Sequence, residues 1–224
     1  MTEIKICGIT NREDALCAAA SGADALGFIF QTTSPRYVPP QKALEIIRLL
    51  PSGIVRVGIF VNGEVDEVKQ TAAICGLDMI QLHGDESPEY CHRFPPETIV
   101  KAVFLHSPDD LAALAGYRVR AFLADSRHHG RYGGTGRKAD WTLASRVAEK
   151  YPLILAGGLS VENIGAALAT VRPGAVDINS GIEIAPGIKD HEQMKRIIAL
   201  VKNAQIPSSG KVFSPSSGIF TKSS

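Results

Sequence analysis

Glu3-Ile4-Lys5-Ile6-Cys7-Gly8-Ile9-Thr10 opens the chain, and its reading decides the architecture of the whole molecule. Ile4 and Ile6 alternate with Lys5 and run into Cys7, the pattern of a short β-strand that Gly8 ends. Thr10-Asn11-Arg12-Glu13 then reads as a helix start. Thr10 or Asn11 can cap it, and Glu13 with Asp14 suit the positive N-terminal end of a helix. A strand followed at once by a helix puts Cys7 at a strand's carboxyl end, where α/β proteins carry their chemistry. A small buried cysteine is the plain alternative at such a position.

The same unit recurs along the chain. Ala25-Leu26-Gly27-Phe28-Ile29-Phe30 is a continuous apolar run, as in a strand buried on both faces. Further strands are predicted near Ile54–Val61, Met79–Leu82, Ile99–Val103, Val119–Ala124, Leu153–Leu155 and Ala175–Ile178. Between them, three- and four-residue apolar spacings such as Leu44/Ile47/Leu50, Ile164/Leu168/Val171 and Met194/Ile197/Val201 predict helices. Eight strand-helix units in strict alternation predict an α/β fold, a single-domain (β/α)8 TIM barrel. An open doubly wound sheet would need a Gly-rich dinucleotide fingerprint after the first strand, and Cys7-Gly8-Ile9-Thr10-Asn11 is not one. The barrel is assigned to residues 1–204. The Ser/Pro-rich residues 205–224 are expected to form a polar tail outside the core.

Bulk properties narrow the function classes. The 224 residues are 45% hydrophobic, ample for one core, and the net charge of +1 gives no basic field for nucleic acid or a membrane surface. No apolar run approaches the ~20 residues of a membrane span, and the N-terminus lacks a signal peptide's apolar core. Cys7, Cys17, Cys75 and Cys91 form neither a C-x-x-C pair nor a dense framework, so a reduced, cytoplasmic setting is expected. No Cys/His cluster has zinc-ligand spacing, and no metal is expected.

A barrel brings the carboxyl ends of its strands to one rim, so residues distant in sequence converge there. The first strand delivers Cys7, the loop after the second Arg36, the fourth Gln81 and His83, and the sixth Asp125. Gly157-Gly158 follow the seventh, and Asp177, Ser180 and Gly181 close the eighth. Arg36 could clamp a carboxylate or phosphate, or be a plain surface arginine. Asp125 ends an apolar strand, where a carboxylate is costly unless paired or used. The glycine-bearing loops after strands seven and eight could cradle a phosphate on their backbone N–H groups. Gly133-Gly134-Thr135-Gly136, preceded by His128, His129 and Arg131, reads as a lid or as a solvated connector. Lys5, alternating with its neighbours along the first strand, is not expected to assist Cys7.

Lys5-Ile6-Cys7-Gly8-Ile9-Thr10, Ser34-Pro35-Arg36-Tyr37, Gln81-Leu82-His83-Gly84, Gly133-Gly134-Thr135-Gly136, Ala156-Gly157-Gly158-Leu159 and Asp177-Ile178-Asn179-Ser180-Gly181-Ile182-Glu183 together resemble the phosphoribosylanthranilate isomerases of tryptophan biosynthesis. The match runs in order from about Ile4 to Lys202. The resemblance implies a cofactor-free Amadori rearrangement of N-(5-phosphoribosyl)anthranilate to 1-(2-carboxyphenylamino)-1-deoxyribulose 5-phosphate. It implies Cys7 as general base, Asp125 as general acid, and Arg36 on the anthranilate carboxylate. Gly157, Gly158, Ser180 and Gly181 would hold the phosphate, with Gln81, His83 and Asp177 as further substrate-side residues. The partner is then a phosphorylated small molecule, and other tryptophan-pathway enzymes are candidate partners. Acid/base chemistry of this kind calls for a lowered Cys7 pKa and a raised Asp125 pKa. Two features depart from the family pattern: Ala139 stands before Asp140-Trp141 where an aromatic is usual, and the tail has no counterpart. A histidine-pathway aldose-ketose isomerase is the alternative enzyme, with aspartates as both acid and base. A non-catalytic sugar-phosphate sensor is the alternative of another class, and it has no use for Cys7 with Asp125.

Overall fold

The computed structural model describes residues 1–125, 141–206 and 210–213. Eight parallel strands close into a barrel in sequence order: β1 (Glu3–Ile6), β2 (Ala25–Ile29), β3 (Val55–Phe60), β4 (Met79–Leu82), β5 (Ile99–Val103), β6 (Ala121–Asp125), β7 (Leu153–Ala156) and β8 (Ala175–Ile178). The ring closes where Lys5 of β1 pairs with Asp177 of β8. Helices α1 (Arg12–Ala20), α2 (Pro40–Ile47), α3 (Val65–Cys75), α4 (Pro88–Cys91), α5 (Asp110–Ala113), α6 (Trp141–Ala148), α7 (Ile164–Val171) and α8 (His191–Asn203) follow the strands. This is the fold expected from the alternation of units. The cap of α1 is Asn11, whose side chain accepts from the Asp14 N–H, rather than Thr10. One element was not expected, an antiparallel hairpin of β9 (Glu183–Ala185) and β10 (Ile188–Lys189) after β8. Pro186-Gly187, with Gly187 at φ 81°, turns it.

The two-residue period of each strand sorts its side chains into two cores. Ile4, Ile6, Leu26, Phe28, Ile80, Leu82 and Phe122 face the helices. Ala25, Val55, Val57, Met79, Val100, Ala121, Leu123, Ile154 and Ala175 fill the barrel interior. On β1 the inward positions are Glu3, Lys5 and Cys7, so the strand turns a polar edge to the barrel centre.

The tail corrects an expectation. Val212 and Phe213 are buried, packed into the interior cluster with Ala25, Ala121 and Ala175. Glu3 Oε2 accepts the backbone N–H groups of Val212 and Phe213, and Arg120 donates to the carbonyls of Lys211 and Val212. Glu3 begins β1 and Arg120 precedes β6, so residues 211–213 close the amino end of the barrel. The physical reason is volume: small alanines at that end leave an apolar opening that Val212 and Phe213 fill. Residues 207–209 and 214–224, like the anticipated lid loop with His128, His129, Arg131 and Gly133–Gly136, lie outside the described residues.

Phe213→Ala removes a buried ring from this plug and is expected to lower unfolding free energy by about 3 kcal/mol, read as a fall in the urea midpoint. An unchanged midpoint would mean that the plug contributes nothing in solution.

Candidate active site

At the centre of the barrel stands the Lys5 ammonium, fully buried. It donates to Asp177 Oδ2 at 2.9 Å and to Gln81 Oε1 at 2.7 Å, reaching from β1 to its neighbour β8 and to β4. Burial works against its charged form, but the Asp177 carboxylate, by its charge and its hydrogen bond, prevails and raises the Lys5 pKa. Because an ammonium can only donate, it fixes which way the Gln81 amide faces. The Gln81 Nε2 group then points at His83 Nδ1, 2.8 Å away, and must be the donor there. His83 is therefore written as the tautomer with its proton on Nε2, the nitrogen that faces Asp125 Oδ2 at 3.7 Å. The Phe104 ring meets the His83 ring edge-on. The second Asp177 oxygen, Oδ1, is buried and accepts no hydrogen bond among the described residues.

Cys7 lies one residue past β1, its N–H bonded to the Ile178 carbonyl, and its side chain is on the same strand face as Lys5. Gly27 makes room for it, since a Cβ there would come within 2.9 Å of the Cys7 sulfur. The expectation of a lowered thiol pKa is corrected: burial, then the Asp177 charge, raise it, and Lys5 and Lys189 only partly counter them. The thiol rests protonated in this environment. The dismissal of Lys5 is also corrected. Residues i and i+2 of a strand share a face, so Lys5 and Cys7 had to point the same way.

Beside Cys7 a second charged group gathers. Arg36, in the loop after β2, forks onto Glu183 of β9 through Nε and Nη2, the shorter contact 2.6 Å. Lys189 of β10 donates to Glu183 Oε1 and to Asn179 Oδ1, each at 2.9 Å. Burial works to raise the Glu183 carboxyl, but the Arg36 and Lys189 cations prevail and hold it down to about 2. Neither Glu183 nor Lys189 was singled out from the sequence. The signal that could have found them was Pro186-Gly187, which folds Lys189 back over Glu183.

Asp125 ends β6 at the rim, in register with Ala156 of β7. The next two loops touch. Gly157 and Gly158 turn after β7 with φ of 88° and 64°, and Asn163 ties the turn by accepting from the Ser160 N–H and donating to the Gly158 carbonyl. After β8, Ser180–Ile182 forms a single 3-10 turn. A side chain at Gly181 would collide with the Leu159 carbonyl, so only glycine lets the loops meet. The barrel thus gathers Cys7, Arg36, Gln81, His83, Asp125, Asp177 and the loop residues Gly157, Gly158, Ser180 and Gly181 at its carboxyl end. The other cysteines lie elsewhere. Cys75 and Cys91 are core residues whose thiols burial pushes up to about 11.

Comparisons with known proteins agree with one another. The family model for N-(5'-phosphoribosyl)anthranilate (PRA) isomerase matches residues 4–200. An N-(5'-phosphoribosyl)anthranilate isomerase of Syntrophus aciditrophicus is 55% identical over 205 residues, 92% of this chain and 89% of that protein. The phosphoribosyl anthranilate isomerase structure from Thermotoga maritima superimposes with a TM-score of 0.84 at 40% identity, covering 91% of this chain and all of that one. A phosphoribosyl anthranilate isomerase structure in complex with reduced 1-(o-carboxyphenylamino)-1-deoxyribulose 5-phosphate gives a TM-score of 0.81 at 39% identity, with coverage of 91% of this chain and 100% of that one.

The Glu183 carboxyl is held at about 2 against an ordinary 4.5, so its ionised form stabilises the fold. That contribution is fully present above its unfolded pKa and is lost as pH falls through the folded one. Glu183→Gln is therefore expected to lose stability at neutral pH and to show a shallower decline between pH 4.5 and 2, measured by denaturation at a series of pH values. A parallel decline in both proteins would contradict the ionised pairing.

Proposed function

The chain belongs to the N-(5'-phosphoribosyl)anthranilate isomerase family and carries out its isomerisation step in tryptophan biosynthesis, and on that premise we propose that Cys7 is the general base and Asp125 the general acid. Family membership decides against the histidine-pathway isomerase and the sugar-phosphate sensor. One observation carries the role assignment: the two groups end inward-facing registers of β1 and β6, and Lys5, Gln81 and His83 span the gap between them.

In this reading Asp125 is protonated when substrate binds and donates to the ribose ring oxygen. The C1′–oxygen bond breaks and the anthranilate nitrogen becomes an iminium. Cys7, as thiolate, takes the proton from C2′, and the electrons of that C–H bond form the C1′–C2′ double bond of an enolamine. Protonation at C1′ and loss of the enol proton give the ketone, so no atom is gained or lost overall. His83, donating from Nε2, would steady the carboxylate that Asp125 leaves behind.

Arg36, its fork held by Glu183 and its side chain still 19% exposed, would meet the anthranilate carboxylate. The abutting loops at Gly157-Gly158 and Ser180-Gly181 would take the phosphate, as barrels commonly do after strands seven and eight. Asp177 Oδ1, buried without a hydrogen-bond donor among the described residues, is suited to accept a ribose hydroxyl. The catalytic unit is residues 1–204, with 211–213 as its plug. We place the reaction in the cytoplasm: the four cysteines are free, and among the described residues no helix is long and apolar enough to cross a membrane.

Turnover of freshly generated N-(5-phosphoribosyl)anthranilate, followed by its fluorescence loss, tests the roles. Cys7→Ser and Asp125→Asn are each expected to lower kcat at least ~10²-fold, the lower end for acid/base catalysis. Near-normal turnover in either variant would remove that residue from its role.

A further inference from the structure

Lys5 takes no part in the chemistry above, yet among the described residues it is the one buried cation with contacts toward both the base and the acid. It shares the inward face of β1 with Cys7, is clamped by Asp177 and Gln81, and through Gln81 fixes the His83 tautomer. We propose that Lys5 is a positioning residue for the isomerisation, a fixed counter-charge that keeps the Cys7 sulfur ionised once substrate is bound. This deepens the assignment of Cys7 as base and rests on it.

The charges around the sulfur explain why the ammonium matters. Cys7 interacts with Lys5 on its own strand, with Asp177 on β8 and with Lys189 on β10. Lys189 and Arg36 share the single Glu183 carboxylate, so that neighbouring cluster keeps one positive charge, while Gln81 adds none. With the thiol protonated, Lys5 and Asp177 form a neutral pair. With the thiolate formed, Lys5, Asp177 and Cys7 together carry one negative charge, complementary to the iminium made when the ribose ring opens. Without Lys5 the thiolate would sit beside the Asp177 carboxylate, both of them buried. Two anions sharing a buried site resist ionising together. The alternative, that Lys5 only holds the barrel together, gives no reason for a cation where an apolar side chain would serve folding as well.

The experiment is a titration of the Cys7 thiolate by its ultraviolet absorbance, with the matching Cys7→Ser protein subtracted, beside the pH profile of kcat. Lys5→Met is expected to move the thiol titration up by about 1–3 pH units, the size of an opposite-charge effect at close range. The acidic limb of kcat should move with it and KM should change little. Asp177→Asn is expected to move the titration down, an opposite sign that general damage cannot mimic. Should Lys5→Met leave Asp177 too costly to bury, Lys5→Met/Asp177→Asn removes both charges. Its titration should then lie above that of Asp177→Asn alone. A folded Lys5→Met protein, or the double variant against Asp177→Asn, with an unmoved titration overturns the role of Lys5. Normal turnover in Cys7→Ser would instead retire the base assignment, so the two failures are distinguishable.

Discussion

A buried ammonium must find acceptors, and that requirement at Lys5 organises the polar centre of this barrel. Removing a charge from water costs several kcal/mol unless partners compensate. Asp177 lies beside Lys5 in the β1–β8 register, and Gln81 reaches it from β4. The orientation of the Gln81 amide, the tautomer of His83 and the nitrogen presented to Asp125 are all set by those two contacts. Cys7 and Asp125, the proposed base and acid of the isomerisation, are thus held in one frame although 118 positions separate them in the numbering. Around the frame, apolar residues fill the lower barrel and Phe213 seals its amino end, keeping bulk water from the ion pair.

The carboxyl rim adds what the frame lacks. Arg36, from the loop after β2, and Lys189, from β10, both grip Glu183 of β9, which ties the β9–β10 hairpin to the rim beside Cys7. The close approach of Gly181 to Leu159 joins the loops after β7 and β8 into one surface, the proposed phosphate site. A substrate with a carboxylate at one end and a phosphate at the other would be stretched across Asp125 and Cys7, the proposed acid and base. Positioning of that kind can supply much of an enzyme's rate, because it replaces the entropy cost of alignment during reaction.

Much of this architecture is legible in the chain itself. Continuous apolar runs such as Ala25–Phe30 mark doubly buried strands, and eight such units in alternation leave little but a barrel. Cys7 and Asp125 stand out because each ends a strand with a residue that an apolar run does not need. Other features are hidden by what sequence does not encode directly. The pairing of Glu183 with Arg36 spans 147 positions and depends on a hairpin turn. The Val212-Phe213 plug is masked by its Ser/Pro-rich surroundings, and only the alanines lining the far end of the barrel explain its burial. Lys5 was readable and was misread: strand parity puts it with Cys7. The thiol's resting state could not be read at all, because burial and Asp177 outweigh the cations only in three dimensions.

The central claim is geometric, that Cys7 and Asp125 flank the reacting carbons from opposite sides of the barrel mouth. A crystal structure of this protein with reduced 1-(o-carboxyphenylamino)-1-deoxyribulose 5-phosphate tests it most directly. The expected result is the Cys7 sulfur within about 3.5 Å of C2′ and an Asp125 oxygen within hydrogen-bond reach of the former ring oxygen, with the phosphate on the Gly157 and Ser180 loops. A ligand whose C2′ faces away from Cys7, or whose phosphate lies on another part of the rim, would contradict it.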